Sequence, residues 1–248
     1  MGPRKLNNAV LDLGDTRRVA PLIPYHDKRL LLNSIIKNDY KRLREFSNFF
    51  YKTNGIYSKL CQYVAFMYRY DWYLVPEVLD NNVAEDKILK DFSKMLNYLD
   101  NSYIKKICGE MALKVLINGC YYGYLVPSKN SILIQELPVD YCRTTYSIRN
   151  MPVVEFNMKY FDEHFKDSNY RMRILNLFPE EFKKGYALYK RGKLLADHNG
   201  DGNGWYVLEP GAAFKFNLNN NDAPVFIDII PLLLDLDAAQ DLDRRKQM

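Results

Sequence analysis

The chain has 248 residues, 48% of them hydrophobic and 26% charged, with a formal net charge of +5. That length suits one large domain or two small ones, the apolar share supports a core and excludes a disordered polar chain, and no apolar run approaches the roughly 18 residues of a membrane span. The charge is local: residues 1–52 carry 11 Lys or Arg against 5 Asp or Glu, a balance of +6, leaving 24 against 25, or −1, for the remainder.

The N-terminus lacks the apolar stretch of a signal peptide, so export is not expected. Residues 1–27 have no periodicity and contain Pro3, Pro21 and Pro24, which reads as an extended arm that touches something outside its own domain. From Asp27, the succession Leu30, Leu31, Ile35, Leu43, Phe46, Phe49 and Phe50 predicts one long amphipathic helix ending near Thr53-Asn54-Gly55, with Lys37, Lys41 and Arg44 along one side. A second helix follows with Tyr57, Leu60, Cys61, Val64 and Met67 on one face, and residues 71–76 read as a short strand closed by Pro76.

Asn82 and Glu85 have the spacing of a capping-box variant, opening a helix with Ile88, Phe92, Met95 and Leu99 inward. Ile104, Ile107, Cys108, Met111, Ala112, Val115 and Leu116 keep helical spacing until Asn118-Gly119 ends the next helix. Strands follow at 120–127 and 131–138 around a turn at Ser128 to Ser131, then at 142–147 and 152–157 around Arg149-Asn150. Helices are predicted over 158–165, 171–177 and 179–190, and short strands over 193–196, 204–208, 213–217 and 225–230. From Pro231 a helix runs to Met248 with acidic residues early, basic residues late and an apolar face of Leu232, Leu236, Ala239 and Leu242 that needs a partner. No stop signal follows, so the chain reads as one that continues beyond Met248. Helices first and strand pairs later make the fold class α+β: amphipathic helices, then short antiparallel strand pairs, then a final helix.

Catalytic and metal signatures are sparse. Asp197, Asn199, Asp201 and Gly202 imitate the start of a calcium loop, but its last position needs a bidentate Glu and holds Leu208, so a Gly-rich turn between strands is expected instead. His26, His164 and His198 form no ligand or nucleophile-base pattern, and no phosphate loop, dinucleotide fingerprint or nucleophile elbow is present. Cys61, Cys108, Cys120 and Cys142 stand too far apart for a zinc spacing or disulfide framework and are expected to be buried free thiols in a reducing compartment. Neither a catalytic residue, a metal nor a cofactor is assigned, and no enzymatic activity is expected. Of the 20 Tyr, 11 are concentrated at 51–73 and 121–146; they suit a core or an interface, and stacking on single-stranded bases is the sharper alternative.

Four segments taken in order carry a resemblance: residues 47–76 with the Trp72-containing strand, 112–127 with Asn118-Gly119 before a Tyr/Gly strand, 134–162 with Leu137-Pro138 and Asp140-Tyr141-Cys142-Arg143, and 224–248. Together they resemble the N-terminal half of tailed-bacteriophage portal proteins, the head-tail connectors. The resemblance implies a ring of about twelve copies with cyclic symmetry and head-to-tail contacts. It implies a place in the virion at one capsid vertex, after assembly in the host bacterial cytoplasm, where the ring passes double-stranded DNA, works with a terminase during packaging and meets the major capsid protein and tail adaptor proteins. Residues 28–230 correspond to the α+β wing of that family, and 231–248 to the start of a helix leading toward the stem; the second stem helix, the clip and the crown have no counterpart before Met248.

On this reading Arg244, Arg245 and Lys246 are candidates for facing DNA, with a simple helix-dipole cluster as the alternative. Arg17, Arg18, Lys28 and Arg29 are candidates for contacts to capsid, neighbouring subunit or DNA. A different class, a phage or plasmid replication protein binding nucleic acid through its basic first helix and Tyr-rich strands, is the other reading of the same residues.

Overall fold

The computed structural model describes residues 27–67, 75, 85–148, 151–194, 204–218 and 221–247. Over these residues the fold is α+β, with most of the helices in one of two compact units and most of the strands, together with the remaining helices, in the other. The span 28–230 contributes to both units.

Among the described residues the helical unit comprises 27–67, 75, 85–121, 127–132, 216–218 and 221–247. It begins with α1 (Lys28–Ile36) and α2 (Tyr40–Thr53), where the sequence pattern predicts a single helix. The chain breaks because Asn38 turns into the left-handed region (φ 52) and Asp39 caps the next helix, its carboxylate accepting from the Arg42 amide at 3.2 Å. Lys37 therefore sits at the end of α1 and does not share a helix face with Lys41 and Arg44. Asn54 accepts from the Tyr57 amide and starts α3 (Gly55–Phe66); α4 (Glu85–Asn101) and α5 (Ile104–Asn118) follow. The strand expected at 71–76 lies outside the described residues, apart from Val75.

The core of this unit joins Leu31 of α1, Leu43, Phe46 and Phe50 of α2, Tyr57 and Cys61 of α3 and Ile117 of α5 to Ile227, Ile230 and Leu233. Ile227 and Ile230 come from residues predicted as a strand over 225–230, which instead form a 3₁₀ turn (Ile227–Ile229) leading into α9 (Ile230–Gln247), where Leu233 lies. Their spacing is three, so a helical path turns all of them inward where an extended one would alternate them. Burial pushes the Cys61 thiol up to about 11, so it is a small apolar core residue, as expected. Cys108 departs from that expectation: it is exposed on α5. Gly119 ends α5 at φ +83, where a Cβ would lie 2.3 Å from the carbonyl oxygen of Asp222.

The sheet unit comprises Tyr122–Val126 and Leu133–Lys215 among the described residues. β1 (Cys120–Pro127), β2 (Ile132–Leu137) and β6 (Ala213–Asn217) form one sheet in the order β2-β1-β6. β3 (Cys142–Ile148), β4 (Met151–Asn157) and β5 (Trp205–Val207) form the other, antiparallel throughout, with a register irregularity between Thr144 and Tyr146. Helices α6 (Lys159–His164), α7 (Ser168–Leu177) and α8 (Glu180–Lys190) fall where the periodicity predicts them. Lys193 and Leu194 are not extended, so the strand expected from 193 does not begin there. The core is aromatic: Phe156 meets Phe161 and Phe182 edge-on or tilted at 5–6 Å, and Phe178 and Tyr186 extend the cluster. The calcium-loop imitation and His26 and His198 lie outside the described residues.

Candidate assembly surface

Helix α9 has two unlike sides. Ile230 and Leu233 enter the core with no more than 6% exposure, whereas Leu232, Leu236 and Leu242 are 66%, 43% and 58% exposed. The predicted apolar face is therefore present and lies bare, while the residues that hold the helix to the unit are others. Asp235 stands on the same side as Leu232 and receives two hydrogen bonds from the Lys28 ammonium, at 2.6 and 2.8 Å. This ties the start of α1 to the second turn of α9 through an ion pair with both side chains well solvated, so the pair aligns the helices more than it stabilises them.

Lys28 is thus part of α1 and engaged with Asp235, not a free element of an arm. Arg29, next to it, is exposed. Arg17 and Arg18 lie outside the described residues. Arg244, Arg245 and Lys246 occupy the last turns of α9.

Two further apolar faces of the helical unit lie open, one on α3 that the sequence reading did not single out and one on α4 that it placed inward. On α3, Ile56 and Tyr63, with Met67 just beyond the helix end, recur at i, i+7 and i+11 and are 43–70% exposed. On α4, Ile88, Leu89, Phe92, Met95, Leu96 and Leu99 share one face, and none is buried; Met95, expected inward, is exposed. The C-terminal end of α4 is fixed instead by polar bonds: the Ser102 hydroxyl donates to the Tyr98 carbonyl at 2.6 Å and accepts from the Ile132 amide at 2.8 Å. Tyr103 then adopts φ 51 to open α5.

The sheet unit gathers its titratable groups into saturated networks. The Asp162 carboxylate accepts from the Tyr186 hydroxyl and the Lys190 ammonium, each at 2.7 Å, and pairs with Arg171 at 3.0 Å. Burial alone would raise its pKa, but the bonds from Lys190 and Tyr186 and the nearby cations outweigh it and hold the carboxyl below its ordinary value. A carboxylate so occupied acts as a strut, not as a poised base. Glu181 accepts from the Tyr124 hydroxyl at 2.6 Å and the Glu209 amide at 2.7 Å, and burial followed by this bond drives the Tyr124 pKa upward. Arg143 pairs with buried Glu155 at 2.7 Å and stacks on Trp205 at 4.1 Å. His164 leans on Tyr160, whose buried hydroxyl is pushed up to about 12 by desolvation and has no hydrogen-bond partner among the described residues.

The Tyr-rich strand is not an open platform. Cys120 to Tyr124 of β1 are all buried, so base stacking on this strand has no free face. Among the described residues no helix is long and apolar enough to cross a membrane. No family model, curated protein or solved structure matches the chain.

Proposed function

We propose that this chain is a structural subunit of a bacteriophage portal ring, the conduit at the capsid vertex for genome packaging and ejection and the attachment point for the tail. The bare stripe of Leu232, Leu236 and Leu242 on α9 carries the reading, because a helix anchored by one side and apolar on the other is built to be covered by another surface. The ordered resemblance along residues 40–248 supports the same assignment. A conduit works by geometry: identical wedges close a ring, and a channel through which duplex DNA slides avoids neutralising many phosphates at once. The near-balanced charge of residues 53–248 suits that requirement. The capsid protein, tail adaptors, terminase and passing DNA are the partners of this proposal, and the virion its place.

Negative-stain electron microscopy of the purified full-length protein, with particles classified for rotational symmetry, tests it. Rings with a central hole wide enough for duplex DNA are expected. Single subunits that bind short single-stranded DNA would overturn the reading in favour of the nucleic-acid-binding one. Leu232→Ser with Leu236→Ser is expected to leave the fold intact and to reduce ring formation, since both side chains are already solvated in the isolated subunit.

A further inference from the structure

We infer that the α3 stripe of one subunit docks on the α4 face of the next copy, so that two unlike faces of the helical unit form a head-to-tail contact. The inference rests on the ring reading and names its partner surface. Both faces belong to the same compact unit, and both leave apolar side chains in water: Ile56, Tyr63 and Met67 on α3, and Leu89 and Met95 on α4. Singly exposed apolar residues are ordinary; several in line along one helix face are not.

Charge distinguishes the two faces and selects their pairing. Lys59 is the sole charged residue of α3, and at i+3 from Ile56 and i−4 from Tyr63 it stands in the exposed stripe itself. The surrounding residues 27–67 carry eight Lys or Arg against three Asp or Glu. On α4, taken at 100° per residue, the margins of the apolar face hold Asp100 on one side and Asp91 on the other, while Asp86, Lys87, Lys90 and Lys94 lie toward the back. Lys94 reaches round to Asp91 at 2.9 Å, so Asp100 is the acid at the margin that meets an incoming Lys59. An α3 face meeting a second α3 face would oppose Lys59 to itself, and two α4 faces would oppose acid to acid; α3 on α4 satisfies both. A contact between different faces is heterologous, the kind that builds a ring when its rotation closes.

The experiment is sedimentation velocity and electron microscopy on the full chain and four variants, each folded by circular dichroism. Leu89→Glu is expected to leave single subunits. Lys59→Glu should raise the concentration for half-assembly on the order of tenfold or more, and adding Asp100→Lys to it should recover most of that loss. Leu177→Ser, at an exposed apolar position of the sheet unit, should assemble as the unsubstituted chain does. Rings that form equally well with Leu89→Glu and Lys59→Glu overturn this contact while leaving the ring reading standing. Loss on Lys59→Glu without recovery in the charge-reversed double variant overturns the pairing of α3 with α4. An unsubstituted chain that never assembles overturns both.

Discussion

Ser47 and Tyr57 share a hydrogen bond of 2.9 Å between hydroxyls that are both fully buried, one on α2 and one on α3, inside the core that α1, α2, α3, α5 and α9 build together. Burial raises the Tyr57 pKa well beyond the ordinary phenol value, so the group is a neutral donor or acceptor at every accessible pH. Removing one hydroxyl leaves the other in an apolar surrounding, a loss of about 1–3 kcal/mol, whereas removing both returns the site toward neutrality. The two single variants are not equivalent. In Tyr57→Phe the orphaned Ser47 hydroxyl can turn to the carbonyl one helical turn back, while in Ser47→Ala the rigid Tyr57 hydroxyl has no such recourse. Ser47→Ala should therefore cost about 2–3 kcal/mol, Tyr57→Phe about 1 kcal/mol, and the double variant less than Ser47→Ala alone. Urea titration followed by circular dichroism reads this directly, because a 2 kcal/mol loss at an m of about 2–3 kcal/mol/M lowers the midpoint by somewhat under about 1 M. Additive losses, with the double variant the least stable of the three, would refute the argument.

Other expectations follow from single sites. Gly119→Ala meets both a left-handed backbone and the Asp222 carbonyl, and should lose about 2–4 kcal/mol by denaturant titration, against about 1 kcal/mol for Gly192→Ala, where φ is +67 but the space is open. Asp162→Asn should cost about 1–2 kcal/mol at neutral pH after allowance for its partial exposure. Because the folded-state pKa of Asp162 is depressed, its contribution is present above the unfolded carboxyl value near ~4 and disappears as pH falls through the folded value; the stability gap between unsubstituted and Asp162→Asn protein should close on acidification. Lys28→Met, which breaks the solvated pair with Asp235, should change stability by less than about 1 kcal/mol at moderate salt.

Much of the secondary structure was legible because it is written in local chemistry. Asn118-Gly119 ends α5, the polar turn at Ser128 to Ser131 joins β1 to β2, and the apolar spacing of 179–190 gives α8, each from residues within a few positions of one another. The break between α1 and α2 was also written, in Asn38-Asp39, but an apolar pattern that continued in phase on both sides masked it. At 225–230 the residues themselves mislead: Val225, Phe226, Ile227, Ile229 and Ile230 favour strands, and only packing against Leu31, Phe46 and Ile117 turns that segment helical.

By itself, then, the sequence determined the α+β class, most element positions and the existence of an apolar face on α9, since periodicity and capping act over one or two turns. Tertiary structure decided which faces are covered. Leu233 is buried and Leu232 bare because Ile227 and Ile230 lead α9 onto the bundle from one side. In the same way it left Tyr63 and Met95 in water and enclosed Tyr121, Tyr122 and Tyr124, a distinction that depends on which distant surfaces meet and that no local spacing encodes.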